Sequence, residues 1–442
     1  MDSAASSITR QEIVALRQRL ENMNAVDVAA EIEEMDDIIV IIAFRILSKD
    51  KAAEVFAYLD PDIQQRIIET IDEKEIGGFI EELFLDDAVD FLEEMPASVV
   101  KRVLANVTPD RRKLINTFLQ YPEDSAGSLM TIEFVNLKSF MTVADAFTQI
   151  RRTGIDKETI YTCYVTDKER KLIGLVTART LFLSDKDAKI EDIMETNVIC
   201  SHTHDDREDL INEFRKYGFV AMPVVDNENR LVGIVTYDDA LRVQEEEATE
   251  DFERMAAMTP SEKPYLKTSI FSLSKNRVPW LFLLNLSVFI TGAIVKSFED
   301  ALAVLPVHVT FMPMLMDTSG DAGSQSSTLI IRGMALGDIK LSDVFRVFWK
   351  ELRVAFICGG TLAAINFTRV MVFGKGFGLA AATSLALLSA TVLAKTLGAM
   401  LPLGARVIKI DPAVMAGPIL TTIVDATTLV VYFSLATLIL LT

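Results

Sequence analysis

The chain has 442 residues, half of them apolar, and a formal charge of −19 that divides into about −23 before residue 274 and about +4 after it. That length implies several domains rather than one core, and the acidity of the first part excludes nucleic acid and anionic lipid as its partners, leaving cations or basic surfaces. Cys163, Cys200 and Cys358 stand singly, without a CxxC pair or a disulfide framework, as suits small core fillers in a reducing compartment.

The opening MDSAASSITRQEIVALRQRL lacks the apolar core and cleavage pattern of a secretory signal, so the soluble part is expected in the cytoplasm. From about Gln11 to Gln120, apolar residues recur at helical spacing, as in AAEVFAYLD and QQRIIETID, and Asp-Pro, Met-Pro and Thr-Pro steps interrupt them. Short amphipathic helices that end at prolines predict an all-α superhelical domain.

An internal repeat of roughly 60 residues follows. SLMTIEFVNLKSFMTVADAFTQIRR and YVTDKERKLIGLVTARTL are echoed by DIMETNVICSHTHDDREDLINEFRKYG and PVVDNENRLVGIVTYDDAL. Each copy reads as a strand, a charged turn (DKERK or DNENR), a second strand and a helix. The two copies resemble the halves of a CBS-domain pair. His202 and His204, in the turn SHTHDD, read as a solvated loop rather than a zinc site. A charged helical pattern from Ala240 to Lys267, containing ALRVQEEEATEDFERMAAM, links this pair to the remainder.

Apolar stretches at about 278–296, 301–331, 354–373, 377–401 and 412–441 are enough for five spans of about 20 residues each. With the N-terminus inside, the loops holding Arg332, Lys340, Arg346, Lys350 and Arg353, then Arg406 and Lys409, face the cytoplasm, and the C-terminus is outside. The sequence thus predicts a multidomain chain: a helical N-terminal domain at 1–124, an α/β CBS pair at 125–241, a connecting plug helix at 242–268 and an α-helical transmembrane pore domain at 269–442.

An acidic residue at the centre of a membrane helix costs roughly 2.5–3.5 kcal/mol, so one that is present invites a functional reading. Asp425 lies in GPILTTIVDATTLVVYF, with Thr421 a turn before it and Thr428 about a turn after, an oxygen stripe of the hard-cation type. The second stretch is expected to break in MLMDTSGDAGSQSSTLIIRGMALGDI, where Gly320, Gly323 and several hydroxyls interrupt the apolar pattern. Asp317 and Asp321, with Ser319, Ser324 and Gln325, would then give oxygens to a water-filled path. Mg2+ dehydrates reluctantly and accepts one or two carboxylates plus carbonyl and hydroxyl oxygens around retained water, an inventory these segments offer.

MPMLMDTSGDAGSQSSTLIIRGMALGDI, VTYDDALRVQEEEATEDFERMAAM and DPAVMAGPILTTIVDATTLVVYF resemble the MgtE family of magnesium channels, and the domain order matches over nearly the whole chain. The resemblance implies a homodimer in the bacterial inner membrane, with its pore at the dimer interface between the second and fifth spans. It implies Asp425 as the main pore carboxylate, beside Thr421, Asp317, Asp321 and Gly417. It also implies regulatory Mg2+ held between the helical domain, the CBS pair and the plug helix, closing the channel when cytoplasmic magnesium is high. The matching acids are Asp86, Asp87, Asp90, Asp238, Asp239, Glu247, Glu250 and Asp251. Where the family usually has Asn, Gly and an acid, this chain has Asp321, Ser319 and Arg242, and Arg242 predicts fewer regulatory ions. Thr236 and Asp238 make ATP a candidate ligand of the CBS pair.

No HExxH, GxSxG or paired His occurs in the apolar stretches, so no enzyme is expected. The rival reading is a CBS-regulated secondary transporter or exchanger of divalent cations, in which Asp425 carries a proton or couples an ion.

Overall fold

Prolines and acidic caps punctuate the first hundred residues, and the helices begin where they stand. The computed structural model describes residues 10–261, 265–266, 268–298 and 306–440, and the chain divides after Val243 into two units.

In the first unit the described residues begin with nine short helices. These are α1 (Arg10–Glu21), α2 (Ala25–Glu33), α3 (Asp37–Ile46), α4 (Lys49–Ala57), α5 (Pro61–Thr70), α6 (Glu73–Glu82), α7 (Leu85–Glu93), α8 (Ala97–Asn106) and α9 (Pro109–Phe118). Proline opens α5 and α9, where its missing N–H costs no helical bond. Alternate helices stack, α2 on α4, α4 on α6 and α6 on α8, as a superhelix requires. The same tie recurs along the stack. The backbone N–H of Ser48 donates to Glu21 (2.7 Å), that of Asp60 to Glu33 (2.9 Å) and that of Thr108 to Glu81 (3.2 Å), so a glutamate late in one helix caps the third helix after it. Phe56 meets Phe79 and Phe91 edge-on in the core between them.

The repeat folds into two sheets of one topology. In the first, β1 (Phe134–Lys138) runs parallel to β2 (Thr159–Thr166), which is antiparallel to β3 (Leu172–Thr177). In the second, β4 (Ser201–His202), β5 (Ala221–Val225) and β6 (Leu231–Thr236) repeat that order. The charged turns carry a left-handed residue at the same place, Arg170 (φ +68°) and Asn229 (φ +60°), each held by an aspartate, Asp167 or Asp226, that accepts a backbone N–H beyond the turn.

Each copy also completes the other. Thr131, at the start of the first copy, exchanges both backbone bonds with Ile234 on β6 (2.8 and 2.9 Å), and Glu195, at the start of the second, does so with Leu175 on β3 (2.9 and 3.0 Å). The glycine of LIGLVT and LVGIVT follows from this exchange. A Cβ at Gly174 would lie 2.7 Å from the sulfur of Met194, and one at Gly233 would lie 2.9 Å from that of Met130. The core of the helical stack continues into the second copy through Leu210, Met222 and Val235.

Helix α10 (Tyr237–Met255) carries the chain across the division. The sequence predicted it over 242–268. It ends sooner because Ala257 turns left-handed (φ +52°), with Ala257 N–H donating to Arg254 and Met258 N–H to Glu253 in a Schellman closure. Residues 262–264 lie outside the described residues.

The second unit contains α11 (Ile270–Ser297), α12 (Met312–Ala335), α13 (Val344–Val372), α14 (Phe377–Val407) and α15 (Gly417–Leu440). Among the described residues four helices are long and apolar enough to cross a membrane: α11, α13, α14 and α15. Helix α12, the second of the five expected spans, falls short of that measure through its aspartates and hydroxyls, and residues 299–305 lie outside the described residues. Helix α14 packs against α12, α13 and α15 through small buried residues, among them Ala380, Thr383, Ala390, Ala394 and Gly398.

The expected break in the second stretch does not occur. Helix α12 is continuous from Met312 to Ala335, through Gly320 and Gly323. Ser319 turns back onto the helix's own backbone, donating to Leu315 O at 2.7 Å, which satisfies that hydroxyl without unwinding, while the buried Ser327 hydroxyl has no hydrogen-bond partner among the described residues. Its glycines serve close packing, since a Cβ at Gly323 would stand 3.2 Å from the carbonyl oxygen of Ala394.

Candidate functional site

Two helices of the second unit carry the acids singled out in the apolar stretches of the sequence. On α12, Asp317 and Asp321 are one turn apart, and on α15, Thr421 and Asp425 are likewise, so each pair presents one face. Together with Gly320 and the apolar Met312, Pro313 and Met316, these faces line a cavity of about 600 Å3. Asp317 and Asp321 are exposed and Asp425 is half-buried. A Cβ at Gly320 would stand 3.5 Å from Thr421, an ordinary van der Waals contact between α12 and α15. No lysine or arginine is among the lining residues, so the local charge calls for a cation, and a wall of three carboxylates, a hydroxyl and apolar residues suits one that keeps part of its water shell.

Other polar residues of these helices face elsewhere. Ser319 and Thr428 bond to each other across the α12–α15 contact (2.9 Å), both buried, and so tie the two acid-bearing helices together instead of lining the cavity. Gln325 accepts from Lys395 of α14, and Ser324 is not among the lining residues either. Gly417 does not line the cavity. It sits at φ +53°, where a Cβ would collide with the carbonyl oxygen of Met255, so its role here is close packing at the start of α15.

The first unit gathers a second acidic group. Asp86 is buried on α7, its carboxylate accepting the Asp87 N–H (3.0 Å). Arg242 donates to Asp90 (2.6 Å) and Asp239 (3.3 Å), and Asp239 also accepts the Thr236 hydroxyl (2.5 Å). Thr236, named as a nucleotide contact, is thus already engaged. Burial, reinforced by the Asp239 charge, pushes Asp86 well above the usual carboxylate range and Asp87 to about 7. Asp239 is raised by burial too, against the pull of Thr236 and Arg242. Asp238 belongs to the same field, since its charge raises Glu158 and Tyr58.

Glu158 is a member the sequence reading missed. Burial and the charges of Asp239, Asp238 and Asp87 push it up to about 8, and one of its oxygens is buried without a hydrogen-bond partner among the described residues. It stands outside every acidic run, in DKETI, and only the parallel β1–β2 pairing brings it here. Among the described residues no three His, Cys, Asp or Glu side chains converge closely enough to ligate one bare ion. The mutual repulsion is what a hydrated divalent ion would relieve, so the donor set fits such an ion through its water shell.

In the second unit, Glu250 and Asp411 both pair with Arg254 at the end of α10. Asp251 is raised by burial and by the neighbouring Glu247 charge. Asp411, in the loop before α15, was not singled out from sequence, nor were Lys395 and Glu351. His202 approaches Asp205 in its turn, and His204 stacks edge-on against Tyr121.

Residues 312–435 match the MgtE family model, described as a divalent cation transporter, residues 23–124 match the MgtE intracellular N domain, and residues 126–185 and 190–246 each match the CBS domain. The chain is 36% identical over 430 residues to the magnesium transporter MgtE of Thermus thermophilus, covering 96% of this chain and 95% of that one. It is 30% identical over 395 residues to the magnesium transporter MgtE of Bacillus subtilis, covering 88% and 86%. Among solved structures, the cytosolic domain of the Mg2+ channel MgtE in complex with ATP matches with a TM-score of 0.50 at 36% identity, over 52% of this chain and 94% of that one. The soluble part of a magnesium transporter matches with a TM-score of 0.51 at 29% identity, over 54% and 94%.

Proposed function

We propose, from the premise that this chain belongs to the MgtE family of magnesium transporters, that it is a magnesium channel whose path runs past Asp425. The observation that carries the reading is the cavity lined by Asp317, Asp321, Thr421 and Asp425, with no basic residue in its wall. A hydrated Mg2+ entering it meets carboxylates placed on two helices, and binding weak enough to release follows from contact through water rather than through a full protein cage.

The polar α12 is read as the second of five spans, shielded by the apolar α13, α14 and α15, with the N-terminus in the bacterial cytoplasm and the C-terminus outside. The exposed Asp317 and Asp321 support a homodimer in which a second copy completes the path. Regulation follows from the acidic groups. Mg2+ held by Asp86, Asp87, Asp90, Asp238 and Asp239 in the first unit, and by Glu247, Glu250 and Asp251 on α10, favours a closed state, and its loss lets the carboxylates repel. ATP is proposed as a ligand of the CBS pair, supported by the ATP complex of the solved cytosolic domain.

The test is Mg2+ uptake into proteoliposomes by the wild-type chain and by Asp425→Ala at equal reconstitution, with no proton or sodium gradient. Gradient-independent uptake that is lost in the variant supports the channel, and uptake that appears only with an imposed gradient moves the reading to the exchanger.

A further inference from the structure

Helix α14 carries a lysine that the cavity does not use. Lys395 is 5% exposed, inside a predominantly apolar helix and about 18 Å along it from its end at Val407, too far for its ammonium to reach water by extending past that end. A buried cation is retained only where something compensates it. Its Nζ lies 3.5 Å from the carbonyl oxygen of Ala322, 3.4 Å from Oε1 of Gln325 and 3.5 Å from Oγ of Ser326, all on α12. Ser326 in turn is 2.7 Å from Oε2 of Glu351 on α13, to which its hydroxyl donates. One hydroxyl therefore bridges an ammonium on α14 and a carboxylate on α13, accepting from the first and donating to the second.

The bridge sits beside a close approach of α12 and α14. A Cβ at Gly398, one turn from Lys395, would collide with the carbonyl oxygen of Gly323. Gly323 also has Leu420 and Val424 of α15 against it, 3.5 and 3.4 Å from where its Cβ would be, and Asp321 and Asp425 are the next residues but one and the next residue along their helices. A shift of α12 at this crossing therefore moves Asp317 and Asp321 relative to Asp425.

We propose that Lys395 and Glu351, coupled through Ser326, are positioning residues for Mg2+ passage: the bridged charge pair fixes where α12 sits, and hence the spacing of the carboxylates along the cavity. Neither touches the ion. The inference rests on the transport reading above, and it makes a claim of its own about coupling. Removing Glu351 leaves the buried Lys395 charge without its counter-charge, and removing Lys395 leaves the half-buried Glu351 without its own, so either single loss should be worse than removing both.

The experiment compares full-length wild type, Lys395→Met, Glu351→Gln, the double variant and Ser326→Ala in proteoliposomes, reading uptake against Mg2+ concentration, and in parallel their melting in detergent. Each single charge variant should raise the half-saturating Mg2+ concentration by about tenfold, and the double variant should recover at least half of that loss on a logarithmic scale. Ser326→Ala, too small a change to disturb the packing, should raise it about threefold. A merely structural role would lower the amount of active protein and leave half-saturation unmoved. Half-saturation within twofold of wild type in Ser326→Ala and in whichever charge variants assemble would overturn the proposal, as would a double variant worse than either single one. If wild type carried no Mg2+ at all, the transport reading would fall, and the melting series would still decide the coupling: a double variant melting no closer to wild type than the singles rejects the pair.

Discussion

The chain holds two carboxylate groups that differ in how their charge is met. In the first unit, Asp86, Asp87, Asp239 and Glu158 are crowded and withdrawn from water, and among the described residues Arg242 supplies the internal cation, pairing with Asp90 and Asp239. In the membrane unit, Asp317, Asp321 and Asp425 face a shared cavity with no basic residue among its described lining, and the cation of α14, Lys395, is engaged with Ala322, Gln325 and Ser326 of α12 instead. On the proposed function, the first arrangement stores repulsion that a bound ion would switch and the second leaves charge to be met by whatever passes, the contrast expected between a regulatory site and a path.

The contrast breaks most visibly at Asp425. Asp425→Ala should cut Mg2+ uptake by at least about tenfold at any cytoplasmic magnesium level, because it acts on the path. Asp239→Asn, Glu247→Gln and Glu250→Gln together should leave maximal uptake nearly unchanged. They should raise the cytoplasmic Mg2+ needed for half inhibition by about tenfold, a coupling of the usual size. Flux from inside-out and right-side-out vesicles at fixed internal Mg2+ separates the two, and if the triple variant were inhibited as wild type is, the regulatory assignment would fall.

These sites were unequally legible in the sequence. Asp425 stood out because one carboxylate in an apolar run is costly wherever the helix packs. The same logic should have found Lys395, but the small residues around it in SATVLAKTLGAM read as ordinary span, and its partners Ser326 and Glu351 come from two other helices. The CBS repeat was readable from its echo, whereas the exchange of Thr131 and Glu195 between copies is a tertiary fact that only the paired glycines hinted at. Hydroxyls and glycines in α12 suggested a broken helix because the sequence cannot show that Ser319 bonds back to Leu315 and across to Thr428. Glu158 was invisible for a related reason: chain order places it 71 residues from Asp87, and folding brings their charges together.

A smaller effect tests the internal cation. Arg242→Gln frees Asp90 and Asp239 from their ion pairs and leaves the acidic group less neutralised. Mg2+ binding to the full-length protein, read by calorimetry, should then strengthen by about threefold to tenfold, or show one additional ion, since a divalent cation can take the place the guanidinium held. Weaker binding than wild type would mean that Arg242 organises the site rather than substituting for an ion.

The smallest effect lies in the pH dependence of the first unit. Glu158 is raised from 4.5 to about 8, chiefly by burial, so between those values the folded state holds a proton that the unfolded state has released. Stability from this group is therefore complete below about 4.5 and is lost as pH rises through about 8. Without divalent cations, the melting temperature of the first unit within the full-length protein should fall between pH 6 and pH 9. Glu158→Gln, uncharged throughout, should lessen that fall by roughly 3 °C, a small figure because the side chain is only partly withdrawn from water and solvent screens it. Added Mg2+ should flatten the wild-type curve at pH 9 and change the Glu158→Gln curve less, because binding to the folded state offsets a repulsion the variant has already relieved. A variant that melts with the wild-type pH dependence would place Glu158 outside the acidic field and restrict the regulatory group to the helical stack and α10.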